Sequence, residues 1–277
     1  MSAPRPLAPL RTFAPALLFS FRAGFRRQVR WRRVAGAAAA LLLLTIVQMA
    51  IVLADRGRHP AADGYVLFTG IVLLNLILPF ASLITALGLL GGELEEGTLV
   101  YLLVRPCPRL AIVLGRTLAA AAATGLLLVL LFLGCLAAVR ALGALDARIA
   151  PPMPALDLVL HLAAVGALGA VVFTALYAAF ALFLKRPLIA LLLGAGHALA
   201  WEGIVAFLPG SIGSYTFTQN LHALFFHHPA IGAWPRRILF QDLHAVPPAA
   251  DALVFLAGTA VVSLLAAWFK FRGRQFG

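Results

Sequence analysis

The chain has 277 residues, 62% of them hydrophobic and only 12% charged, with a mean hydropathy of +0.98. Those proportions exclude an ordinary soluble domain and describe an all-α, polytopic membrane protein. The formal charge of +12 would suit nucleic acid, but 20 of the 22 basic residues are arginines gathered at the ends of apolar runs. That placement points to membrane topology and anionic lipid and leaves no nucleic-acid partner expected.

Residues 1–33 form the first unit. Phe13, Leu17, Leu18, Phe21, Phe25 and Trp31 fall on one side of a helical wheel, and Arg11, Arg22, Arg26, Arg27 and Arg30 on the other. The pattern predicts an amphipathic helix lying on the inner leaflet, each arginine contributing about 1 kcal/mol next to anionic lipid. A disordered basic tail is the alternative, and the aromatic stripe opposes it. A cleaved secretory signal does not fit, because arginines continue to Arg33 and the apolar run behind them is span-length.

Residues 34–277 read as one transmembrane domain. A helix needs roughly 20 apolar residues to cross a hydrocarbon core about 30 Å thick. Six segments are expected to do so: 34–54, 65–90, 110–139, 156–184, 188–208 and 252–269. With the N-terminus inside, basic residues cluster on the cytoplasmic side at Arg5 to Arg33, Arg105 to Arg116, Lys185 with Arg186, and Lys270 to Arg274. Only Arg56, Arg58, Arg140, Arg148, Arg236 and Arg237 would lie outside, so both termini are expected in the cytoplasm of a multi-pass protein of the cell's inner membrane. Cys107 and Cys135 then fall on a cytoplasmic segment and inside a span, which does not make a disulfide framework.

Between the second and third spans lies "GELEEGTLVYLLVRP", with three of the ten acidic residues of the chain. Gly97 offers a break, Thr98 an N-cap, and Pro106 a stop, which predicts a short helix over 99–104. Leu99, Tyr101, Leu102 and Leu103 make that helix apolar on every side, so more than one neighbour must cover it. The membrane surface is one neighbour and a cytoplasmic partner the other, with Glu93, Glu95, Glu96, Arg105 and Arg109 as a charged rim. The whole segment, residues 91–109, is therefore expected to be a partner-binding surface.

Polar side chains within the spans are few: Asn75, His161, His197 and Glu202. Glu202 precedes Pro209 by a few residues, at the expected outer end of span five, where a structural or interfacial role competes with substrate or proton handling. The histidines read as neutral interhelical hydrogen-bonders. The loop 209–250 is the one long connection and carries His222, His227, His228 and His244 without a zinc spacing, so no metal is expected. Its "NLHALFF" is apolar enough to form a short helix at the outer interface.

No Gly-Lys-Ser/Thr phosphate loop is present, since Lys185 and Lys270 are followed by Arg186 and Phe271. HExxH, CxxC and GxSxG are absent too. The chain has no expected catalytic residue.

"ELEEGTLVYLLVRPCPRLAIVLGR" resembles the segment after the second span in permeases of the ABC type-2 exporter family. The matching positions are Glu93, Glu96, Gly97, Thr98, Leu99, Leu102, Leu103, Pro106, Arg109, Leu114, Gly115 and Arg116. Cys107 departs from the small apolar residue common there, and Arg116 from the more usual lysine. "WEGIVAFLPGSIGSYTFTQNL" is similar to a Trp-Glu-Gly stretch in some members, and the six-span layout agrees. The resemblance implies a transport half without catalysis of its own, paired as a dimer with a second copy or paralogue. It further implies a separate cytoplasmic ATPase, holding ATP and Mg, docked on a coupling helix after span two. Two other classes stay open from the residues alone: a membrane anchor or assembly factor recruiting a soluble partner, and an intramembrane enzyme using Glu202.

Overall fold

The computed structural model describes residues 8–55, 58–92, 108–146, 153–184, 186–204, 211–232 and 247–273. Among them every regular element is helical. The arginine- and aromatic-rich start forms α1 (Ala8–Gln28). An extended Arg30, whose carbonyl accepts the first backbone bonds of the next helix, makes an elbow into α2 (Trp31–Ala54).

The second apolar run becomes α3 (Ala61–Gly91), a single span of changing pitch. Its stretches Thr69–Ile77 and Leu87–Gly91 are π-helical and the rest α-helical. Pro79 follows the first of these. A proline has no N–H and its ring collides with the carbonyl four residues back, and a widened turn before it relieves both.

The third run forms α4 (Arg109–Leu145), whose 37 residues make a rod of about 55 Å, longer than a bilayer is thick. Next come α5 (Leu156–Phe183), α6 (Pro187–Trp201) with a π-helical last turn, a short α7 (Phe217–Phe225), and α8 (Ala249–Gly273).

Helix α5 is central. It packs on α4, α8 and α3, while α2 lies at the rim against α4 and α1 lies across α4. Tyr65, Leu73, Leu78, Leu128, Phe132, Phe173 and Tyr177 form the dry centre. Close approach depends on glycine: a Cβ on Gly169 of α5 would stand 2.6 Å from Leu78 and 2.9 Å from Leu221. Small residues that let backbones meet are the main source of helix attraction where lipid is as apolar as leucine.

Among the described residues five helices are long and apolar enough to cross a membrane: Arg33–Ala54, Ala61–Gly91, Arg109–Leu145, Leu156–Phe183 and Ala249–Gly273. They coincide with five of the six expected spans. The run expected as the fifth, 188–208, supplies instead the shorter apolar helix α6. It ends because Gly203 follows in a turn, where a Cβ would stand 2.5 Å from the Leu199 carbonyl, and Glu202 is drawn sideways by another helix.

Candidate functional site

Two regions carry the polar chemistry. The first is the basic end of the bundle, beside Gly88, Gly92 and the start of α4. The ideal Cβ position of Gly88 lies 3.3 Å from the Arg33 guanidinium, and that of Gly92 lies 3.7 Å from Arg27. Two cations thus stand beside the last described turns of the second span. Arg109 opens α4 and donates from Nη1 to the carbonyl of Arg272 at 2.6 Å, tying the start of the third span to the end of the last.

Helix α1 joins the same end by close packing. Ser20 and Gly24 face Gly115 and Ala119, four residues apart on each helix. Ser20 Oγ donates to the Ile112 carbonyl at 3.1 Å, and Arg116 Nη1 to the Ser20 carbonyl at 3.3 Å. The small-xxx-small pairing of Ser20, Gly24, Gly115 and Ala119 was legible in the sequence as spacing, but only its partner helix gives it meaning. Of the segment expected to bind a partner, Gly91, Gly92, Pro108 and Arg109 have described positions. Glu93, Glu95, Glu96, Gly97, Thr98, Leu99, Tyr101, Leu102, Leu103, Arg105 and Pro106 lie outside the described residues, as do Cys107 and His244.

The second region is at the opposite end, where α7 is buried among α3, α5 and α8. Glu202 is fully buried, and its two oxygens accept from the backbone N–H of Phe217 at 3.1 Å and of Thr218 at 2.7 Å. Thr216 is the N-cap, its Oγ1 accepting from Gln219 N at 3.2 Å. Three of the four N–H groups that a helix start leaves unpaired are thereby satisfied, and a carboxylate sits at the positive end of the helix dipole. The signal for this helix start was present as Thr216-x-x-Gln219 before an apolar run. That Glu202 completes it needed the fold.

His197 stands beside this cap. Its Nε2 lies 3.7 Å from Glu202 and its Nδ1 3.4 Å from the Tyr177 hydroxyl. The rings of Phe173, Tyr177, Phe180 and Phe217 surround it at centroid distances of 5.8 to 6.5 Å. His161, brought to the same helix from α5, bonds through Nε2 to the Leu224 carbonyl at 3.0 Å. His222 of α7 is fully enclosed, with Nε2 at 3.4 Å from the Gly70 carbonyl in the π-helical part of α3. Burial lowers its imidazole to about 4, against the weaker opposing pull of that carbonyl, so it is neutral. Asn75, in the same π-helical stretch, is buried with neither amide atom hydrogen-bonded among the described residues.

The fold therefore brings His161, His197 and Glu202 to α7 and its cap. Among the described residues no three His, Cys, Asp or Glu side chains are placed to hold a metal. Both Glu202 oxygens are engaged by backbone donors, an arrangement that organises a helix.

Comparison with curated proteins finds no match. The family model described as ABC-2 family transporter protein matches residues 20–272, from the α1 contact with Gly115 to the Arg272 carbonyl held by Arg109. Such proteins are the membrane components of transport and are generally not catalytic themselves. With five apolar helices of membrane-crossing length and a match over nearly its whole extent, the chain belongs to the ABC-2 transporter family and is a multi-pass membrane permease of an ABC transporter.

Proposed function

We propose that this permease works as an exporter half, driven by a separate cytoplasmic ATPase that grips residues 93–106 and paired with a second copy or a paralogue. The observation that carries the reading is the convergence at the basic end: α3 reaches Gly91, α4 begins at Arg109, and Arg109 binds the last helix at Arg272. A segment hung between these ends can pass one push to three spans. The rich supply of arginine there supports a cytoplasmic position for that end and for both termini.

The sixth crossing is assigned to α6 together with residues 202–208. Its exposed Leu188, Leu192, Leu193 and Ile204 suit contact with lipid or a second permease. ATP binding would draw the two ATPase subunits together, move the 99–104 helix of each permease, and tilt α3 and α4 to open the path on the far side. ATP and Mg belong to the partner. The chain's own residues transmit movement and line the path.

Glu96→Arg, Leu99→Arg and Leu102→Arg test the assignment. Each should insert normally in the membrane yet lose ATPase co-purification, or leave ATP hydrolysis uncoupled from transport. Unchanged co-purification and transport in all three would overturn it.

A further inference from the structure

An open apolar groove of about 450 Å³ lies beside the elbow between α1 and α2 and has no part in the coupling just described. Alanines create it: Ala38 of α2 and Ala123 of α4 are too short to close the gap between their helices, and Leu41, Leu126 and Leu130 form the walls. Polarity is confined to one end, where Arg33 and Gln28 stand at the mouth, and no carboxylate is among the described lining residues. From position 33 to position 41 the groove follows α2 for about 12 Å.

The cation at the mouth is braced. Arg33 Nη1 donates to Gln28 Oε1, and Gln28 Nε2 donates to the Thr85 carbonyl at 2.9 Å. The charges of Arg27 and Arg30 also act on Arg33. Like charges that act on one another raise the local positive potential, and an anion relieves it. Val29, Val34, Leu126 and Leu130 remain between 43% and 50% exposed along the groove, so the site opens sideways, toward the position of lipid.

An inorganic anion would satisfy the mouth and leave the apolar channel, about 12 Å long, without a role. A plain hydrocarbon would do the reverse. We propose that the groove binds an anionic phospholipid of the leaflet at the basic end, its phosphate on Arg33 and one acyl chain between α2 and α4. A zwitterionic phospholipid shares the phosphate and chain, but its ammonium would face the arginines and be disfavoured.

The full chain, purified in mild detergent, is titrated with phosphatidylglycerol or phosphatidylcholine, and bound lipid is counted by native mass spectrometry. Wild type should hold one phosphatidylglycerol at least about fivefold more tightly than phosphatidylcholine, the factor that about 1 kcal/mol for an arginine next to an anionic headgroup implies. Arg33→Gln should erase the preference and Arg33→Lys largely keep it. Leu126→Trp, a change at a half-exposed position that blocks the groove from its open side, should weaken retention of both lipids. Equal retention of the two lipids by wild type overturns the proposal. So does a phosphatidylglycerol preference undiminished in Arg33→Gln, or retention undiminished in Leu126→Trp, because the lipid would then lie on the surface arginines and outside the groove.

Discussion

A Cβ on Gly115 would stand 2.7 Å from the Cβ of Ser20, nearer than two such atoms can come. The leading helix and the third span are therefore in backbone contact: the Leu17 carbonyl and Phe21 nitrogen lie at 2.8 and 3.0 Å from the same point. Gly115→Leu should push α1 off α4. An overpacked helix contact costs about 1–3 kcal/mol, so thermal stability in detergent should drop and trypsin should cut more rapidly at Arg22 and Arg26. Digestion and melting that match wild type would show that α1 docks elsewhere.

The cap on α7 gives a second expectation. Glu202→Gln replaces an acceptor oxygen with an NH₂ facing backbone donors, and a buried group left unpaired costs about 1–3 kcal/mol. Amide exchange across Phe217–Phe225 should speed up in this variant. Thr216→Ala should do the same more mildly, at about 1 kcal/mol. If Glu202→Gln abolished transport with exchange in α7 unaltered, a role in substrate or proton handling would replace the capping role.

Thr85 and Thr124 share a hydrogen bond of 2.9 Å between α3 and α4. Hydroxyl pairs of this sort between membrane helices average about 0.6 kcal/mol. Thr124→Val should thus lower stability only slightly, far less than Gly115→Leu. The ranking of the two melting shifts is the check, and it separates packing from hydrogen bonding as the main tie between helices.

His222 sets a pH dependence with a definite sign. Its imidazole is held at about 4 by burial, against about 6.5 when unfolded. The group is neutral in both states above the unfolded value, and stability falls as pH drops below about 6.5, because the unfolded chain takes up the proton first. At pH 5 the loss reaches about 2 kcal/mol. His222→Gln should show a shallower decline than wild type in melting temperature between pH 7 and pH 5, and parallel declines would count against a neutral, enclosed His222.

Much of the architecture could be read directly from the chain. The run 34–54 emerged as Arg33–Ala54 and 156–184 as Leu156–Phe183, because a span-length apolar stretch has few other stable fates. The "NLHALFF" run forms a helix where one was expected, but it is buried within the bundle. A local pattern reports that a helix forms without reporting what covers it. Glu202 shows the same limit: its partners Phe217 and Thr218 lie fifteen and sixteen residues away, beyond any helical or capping period. The coupling surface rests on sequence pattern and family resemblance, through residues such as Leu99 and Pro106.

Helix α6 offers ten α-helical and five π-helical residues, a length of roughly 22 Å against a hydrocarbon core of about 30 Å. With residues 202–208 completing the proposed crossing, the Glu202 bonds to Phe217 and Thr218 fall within it, where no water competes for the two N–H groups.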